Sequence, residues 1–530
     1  VTHSDYLFES GNEIARKTGR KQDKGVIKMQ DRSRRESQIL SVFSVRSMGL
    51  LLLLSLSIGC GNWHEFGNGP TNPHATKISG PVGGISTATS LPAPSTSLGH
   101  GSEIGVLTDS SGAYYVTSYA PEIHVYDPSG VYQATYNLPG DGSRAVPYVL
   151  SDYAKMKSMI FAGAESGGFF AIEVDKTTSP YTMTLMDSDM TVGTSESSPK
   201  RAQDGTLYLA GQWGDVMSFD YNSSTGTLTR LSTYPIGEVI TGAIALYDAD
   251  PSVPGEEVLV ATREGGFYVL DHGLTTILWS ELSGHLLGDE FYAGVTVAER
   301  GTNDPIALLP IAARISSSAN SGLLRAINLY SGGIEWELIP SATTLGNHEI
   351  PGSVSLLPDG VIGAGTTTTT TTTDDDPGPT IDTGGGGLVV GGGDISGGIE
   401  IDPETNDDGI TIGDNDDDST DSNSQNGGIY GATFASTDQN LYAVDLITGL
   451  EVWSYPMTEA GYDAPVTDGN AVVYVGDGQS VLHAVDAMTG LPVWIDFSIS
   501  VGGVADIVKL GISYRNELVA GSGSSAYFLN

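Results

Sequence analysis

Asn440-Leu-Tyr-Ala-Val-Asp-Leu-Ile-Thr-Gly-Leu-Glu-Val-Trp453 is followed by Ser480-Val-Leu-His-Ala-Val-Asp-Ala-Met-Thr-Gly-Leu-Pro-Val-Trp494. The two stretches match with a period of 41 residues: Asp445 falls on Asp486, Gly449 on Gly490 and Trp453 on Trp494. In each, an apolar-rich strand ends in Asp, a turn containing Thr-Gly follows, and the next strand carries a Trp eight residues after the Asp. A fixed period in the forties, filled with short strands, is the pattern of a radial β repeat.

Weaker copies run back along the chain. Asp127, Asp175, Asp220, Asp271 and Asn328 occupy the Asp position, and Trp279 and Trp336 follow the last two at the same spacing of eight. Each unit offers about four short strands with period-two alternation, separated by Gly or Asp-Gly turns. One such sheet cannot bury both of its faces. Stacking around a ring buries them and protects the edges. The reading is therefore all-β: a β-propeller of four-stranded blades over residues 101–530, with eight blades expected and seven as the alternative. The last unit has three candidate strands before the chain reaches Asn530. A strand from upstream of residue 102 is expected to supply its fourth. At the repeat positions, the Asp is expected to accept turn N–H groups and the Trp to fill the gap between neighbouring sheets.

The charge is uneven. The chain carries 24 Lys and Arg against 64 Asp and Glu, a net of -40. Ten of the basic residues precede residue 47, so the rest of the chain is more acidic still. Such a surface repels nucleic acid and anionic lipid headgroups and favours cationic partners or divalent cations. The one cysteine, Cys60, excludes an intrachain disulfide. Core packing and ring closure must hold the fold.

Residues 49–60 read GLLLLLSLSIGC. The apolar run is too short to span a bilayer as a stable helix, and basic residues precede it, as in a secretory signal. Its ending, Ser57-Ile58-Gly59-Cys60, resembles a bacterial lipobox, with Ser57 where Leu is usual. That resemblance implies export across the inner membrane and lipidation at Cys60. The protein would then be anchored in the bacterial cell envelope, at the outer membrane or cell surface, and touch membrane through the lipid alone. Residues 1–60 are thus read as an over-extended start plus signal segment. Residues 61–100, rich in Gly, Pro, Ser, Thr and Asn, are read as a flexible linker.

Two acidic stretches interrupt the repeats. Residues 366–427 open with Thr366 to Thr373 and continue through Gly-rich and Asp-rich tracts. That composition cannot build a core and reads as a disordered insertion within one blade. Asp248-Ala-Asp-Pro-Ser-Val-Pro-Gly-Glu-Glu precedes a strand and resembles the calcium-bearing loop of integrin-like propellers. Asp248, Asp250, Glu256 and Glu257 would supply the oxygens calcium needs. The competing reading is a surface turn capped by Asp.

The LYAVD-x-x-TG-x-x-x-W units resemble the repeat of the quinoprotein alcohol dehydrogenase-like, or PQQ-like, β-propeller superfamily, in its non-catalytic lipoprotein-type form. The superfamily includes quinone-dependent dehydrogenases and non-catalytic members, among them a lipoprotein subunit of the outer-membrane β-barrel assembly machinery. The dehydrogenases hold an anionic quinone near the ring axis with basic groups, and many place a vicinal disulfide over it. A single cysteine excludes that disulfide. No GxSxG, HExxH or Walker sequence marks another chemistry. The expectation is a non-enzymatic, envelope-anchored scaffold binding a protein or glycan partner and no nucleic acid. No catalytic residue and no quinone are expected, and calcium is the one cofactor suggested. A quinone-dependent enzyme and a barrel-assembly accessory are the alternatives.

Overall fold

A computed structural model describes residues 68–529, apart from 77, 82–84, 86–87, 91–104, 118–120, 140–144, 251, 301–303, 315–321, 340–352, 358–431, 437–438, 460, 462–463, 495, 500–506, 514–515 and 523–524. The described residues form eight four-stranded antiparallel sheets and one two-stranded ribbon. Seven sheets are continuous in the chain. In order, they cover residues 105–137, 148–189, 200–235, 245–281, 296–338, 355–456 and 466–498, and are numbered 1 to 7 here. Sheet 8 is composite. Its three inner strands, Ile507–Ile512, Leu518–Ser522 and Ser525–Leu529, come from the end of the chain, and Ala88–Ser90 pairs along the outside of the last. The upstream strand required to complete the final unit is thus Ala88–Ser90.

The sequence writes these sheets in a regular way. The second and third strands are buried on both faces, as in Leu207–Ala210 and Phe267–Leu270, and read as near-continuous apolar runs. The outermost strands alternate, as in Thr227–Pro235, because one face packs and the other meets water. Shared apolar clusters then link each sheet to the next: sheets 2 and 3, 3 and 4, 4 and 5, 5 and 6, and 6 and 7. One large cluster spans sheets 7, 8, 1 and 2, and a smaller one joins Tyr114 and Val116 of sheet 1 to Val519 and Phe528 of sheet 8. The sheets form a closed ring.

Each innermost strand has a free edge facing the ring axis, which a fold must cover or pair. Residues 68–80 cover five of them. The Pro70, Thr71, Pro73 and His74 carbonyls accept from the N–H groups of Leu246, Val297, Leu356 and Thr467. These are the innermost strands of sheets 4, 5, 6 and 7, and on sheet 7 the Thr467 carbonyl also accepts from the Thr76 N–H. In sheet 3 the buried Lys200 ammonium reaches the Gly69 carbonyl at 2.7 Å. The segment then leaves along sheet 7, where Gly80 N–H donates to Asp468. Residues 68–80 are therefore an axial plug. This corrects the expected flexible linker over 61–100, since 68–80 and the strand Ala88–Ser90 are built into the ring. The segment has linker composition because it bonds through backbone carbonyls and turns, which need Gly, Pro and Asn rather than apolar side chains.

Residues 1–60, with Cys60, and the insertion 366–427 lie outside the described residues. The insertion departs from the turn between the first two strands of sheet 6, Ser355–Leu356 and Ala432–Ser436. No helix among the described residues is long and apolar enough to cross a membrane.

Candidate docking face

Antiparallel blades place the turns between their second and third strands, and the crossovers to the next sheet, on the same face of the ring. On sheets 2 to 4 these two kinds of loop lie on each other. Gly168 donates to Val192, Gln212 to Thr194, Ile236 to Gly214 and Arg263 to Val239, all backbone to backbone. The close approach demands glycine. Gly265 has φ +92, and a Cβ there would sit 2.7 Å from the Gly284 carbonyl carbon. The ribbon of Asp289–Glu290 and Ala313–Arg314 extends the same face over sheet 5.

This rigid loop layer holds out apolar groups that nothing in the ring covers. Trp213, at the tip of the turn Gly211-Gln-Trp-Gly214, is 70% exposed, Met190 58% and Tyr292 37%. Around them stand carboxylates. Glu196 accepts from Gln212 at 3.0 Å, and Glu264 from the Val239 N–H at 2.9 Å. Glu238 gathers the Thr262 and Tyr268 hydroxyls and the His285 ring. Burial, and then that bond to Glu238, hold the Tyr268 phenol far above its ordinary pKa. The exposed Arg263 stacks on Tyr292 at 5.0 Å. An aromatic tip ringed by acid suits a partner with apolar and basic side chains.

The opposite face carries the repeat residues. Asp445 Oδ1 accepts from the Ile447 and Thr448 N–H groups and the Thr448 hydroxyl, and Asp486 does the same for Met488 and Thr489. Asp271 holds Thr275 and Thr276. The tryptophans reach across to the following sheet. A Cβ on Gly332, Gly449 or Gly490 would lie 2.5–3.2 Å from the ring of Trp279, Trp336 or Trp453 respectively. The indoles of Trp336 and Trp453 also donate to Leu446 and Ala487. A β-bulge just before Asp271, Asn328 and Asp445 shifts the register of the outer strand that carries the Trp. These side chains staple sheets together and leave no room for a ligand beside the glycines.

A family model described as outer membrane protein assembly factor BamB matches residues 417–522, which include both quoted repeats. The chain is a β-propeller, and its residues 417–522 carry the PQQ-like repeat. No curated protein matches the propeller by sequence. Among solved structures, Sqt1 of Saccharomyces cerevisiae is similar, with a TM-score of 0.54 at 10% identity over 85% of this chain and 99% of that one. BamB from Moraxella catarrhalis gives 0.46 at 14% identity, over 84% and 98% of the two chains. The computationally designed Ika8 protein gives 0.48 at 13%, over 82% and 98%. The likeness to Sqt1 is one of fold.

The propeller uses the acidic loop of sheet 4 as a turn. Glu257 accepts from the Ala249 and Asp250 N–H groups at 2.7 and 2.9 Å. Glu256 accepts from Gln203 N–H of sheet 3, and Asp250 caps Ser252. Burial raises both Glu pKa values, while the Ser252 hydroxyl and N–H lower that of Asp250. Asp248 lies in the same turn. Among the described residues no three His, Cys, Asp or Glu side chains group so as to hold a metal ion. The sequence reading missed Trp213 and the plug. A Trp between turn glycines was the available signal for the first.

Proposed function

We propose that this propeller is an envelope-anchored, non-enzymatic scaffold that docks a protein partner on the loop face of sheets 2 to 5. The observation that carries the reading is Trp213. A large aromatic held in water by a hydrogen-bonded turn is what interfaces bury at their centres. The family match to an outer membrane assembly factor over residues 417–522 supports an envelope protein as the partner. It also favours a narrower reading, in which the partner belongs to the outer-membrane protein assembly apparatus. Anchoring is assigned to a lipid on Cys60.

Three arginines of sheets 3 and 5 are held in ion pairs. Arg230 pairs with Asp189, Arg300 with Asp304 and Glu335, and Arg325 with Asp289 and Glu337.

The test is a photo-crosslinking residue at position 213, compared with one at Leu231, which is 57% exposed on an outer strand. A discrete adduct to one envelope protein from position 213 and none from 231 is expected. Equal labelling from both, or none from 213, sinks the proposal. Cys60→Ser should release the protein from the membrane fraction without altering that adduct in detergent extracts.

A further inference from the structure

We propose that the ring axis is a peptide-binding site for an acceptor-rich Asn-Pro segment. The chain's own residues 68–76 lie on its wall at sheets 3 to 7, and the same sequence binds in trans once the resident copy is weakened.

The wall of the axis offers donors on sheets 4 to 7 and accepts N–H groups at the Ile244, Val295 and Thr467 carbonyls. Leu246, Val297, Leu356 and Thr467 occupy matching places on sheets 4 to 7 and point one N–H each inward, at 2.9 to 3.0 Å from the plug carbonyls. The Thr296 and Ser355 hydroxyls add bonds to the Asn72 and His74 carbonyls at 3.1 and 2.7 Å. The buried Lys200 ammonium adds another acceptor demand at Gly69. A ligand here must present carbonyls outward on successive residues.

The plug has that chemistry. Pro70 and Pro73 offer a carbonyl and bring no N–H needing a partner. Asn72, fully buried, donates its amide to both the Ile244 and Val295 carbonyls at 2.9 and 2.7 Å. It is the side chain that reads two sheets at once. Asn68 donates to the Ala75 carbonyl at 2.8 Å and closes the segment on itself. These contacts join residues more than a hundred positions apart in the chain. Covalent connection thus supplies effective concentration, while the recognition is that of a bound peptide.

A second feature fastens the exit. Gly80 donates to Asp468, and a Cβ at Gly80 would fall 2.3 Å from the Tyr474 hydroxyl. Gly80→Ala therefore loosens the plug without touching the wall donors of sheets 4 to 6.

The experiment uses the full chain and a fluorescent synthetic peptide of residues 66–81, read by anisotropy. Binding to the Gly80→Ala chain should saturate and be roughly ten-fold tighter or more than to the parent, whose site is occupied. An unlabelled peptide should compete, and one with Asn72→Ala should not. A folded Gly80→Ala chain that binds no peptide overturns the proposal, as does equal binding to the parent or to a scrambled peptide. If Gly80→Ala does not fold alone, it is refolded with peptide present. Recovery with the native peptide and not the scrambled one supports the site, and no recovery overturns it.

Discussion

The indole N–H of Trp453 donates to the Ala487 carbonyl at 3.1 Å, across the boundary between sheets 6 and 7, while its ring covers Gly490. Trp336 repeats the contact one sheet earlier, with Leu446 and Gly449. The spacing of eight between Asp and Trp follows from this. The Trp pairs across the hairpin with the residue two before the Asp, as Trp453 does with Ala443, and the bulge aims it at the next turn. Trp494 occupies the same place in sheet 7, but its indole nitrogen is buried with no hydrogen-bond partner.

Trp453→Phe should therefore destabilise the propeller by about 1 kcal/mol, the net worth of one hydrogen bond plus a modest loss of contact. Gly490→Ala should cost more, about 2 kcal/mol or above, since it combines strain at φ +69 with overlap on the Trp453 ring. Trp494→Phe should cost less than Trp453→Phe. Urea unfolding of the three variants checks the order.

Two buried histidines give opposite pH dependences. Burial, and then the Lys200 charge, depress the His74 pKa to about 3. The unfolded chain takes up that proton near pH 6.5 and the folded one does not. Stability should therefore fall as pH drops from 6.5 towards 3, by at most about 1.4 kcal/mol per unit. His483 is raised: burial pulls it down, but the hydrogen bonds its ring N–H groups donate to Asp477 and Asp496, and the charges of those carboxylates, outweigh that. Its contribution is full below the unfolded value and is lost as pH climbs through the higher folded one. Melting temperatures across pH 4 to 9 should lose their acid-side slope in His74→Gln and part of their alkaline-side slope in His483→Gln.

Arg325 lies 1% exposed between Asp289, Glu337 and Glu281, at 2.6, 2.7 and 3.7 Å. It ties the ribbon of the docking face to sheets 4 and 5. Arg325→Met removes this guanidinium from the buried Asp289 and should cost about 3–5 kcal/mol. Adding Asp289→Asn should recover part of the loss, which a double-mutant cycle by urea unfolding measures.

Trp213 should matter to binding and little to folding. Trp213→Ser is expected to change stability by no more than about 0.5 kcal/mol. It should also remove the emission of the most exposed tryptophan among the described residues, read by iodide quenching. A large drop in melting temperature would place Trp213 in the fold rather than on the docking face.

Much of this architecture can be read in the residues. Period-two runs ending in Asp, such as Leu441 to Asp445, fix strand and turn together, and the strand expected from upstream is Ala88–Ser90. The plug was not legible. Its Gly, Pro and Asn residues act through carbonyls, and a segment that binds by backbone has the composition of a spacer. In the acidic loop, Glu257 and Glu256, which read as cation ligands in sequence, accept N–H groups in the fold.

The closed ring built from both ends of the chain is tested most directly by a disulfide. Thr89 faces Phe528 in the antiparallel pair that completes sheet 8. Cysteines at these two positions, in a Cys60→Ser chain, lie within bridging distance if the strands pair. Mild oxidation should give an intramolecular crosslink in nearly all molecules, seen as a reducible shift in electrophoretic mobility, with the melting temperature raised. Free thiols that persist after oxidation of the folded protein, or crosslinks formed only between molecules, would contradict the ring described here.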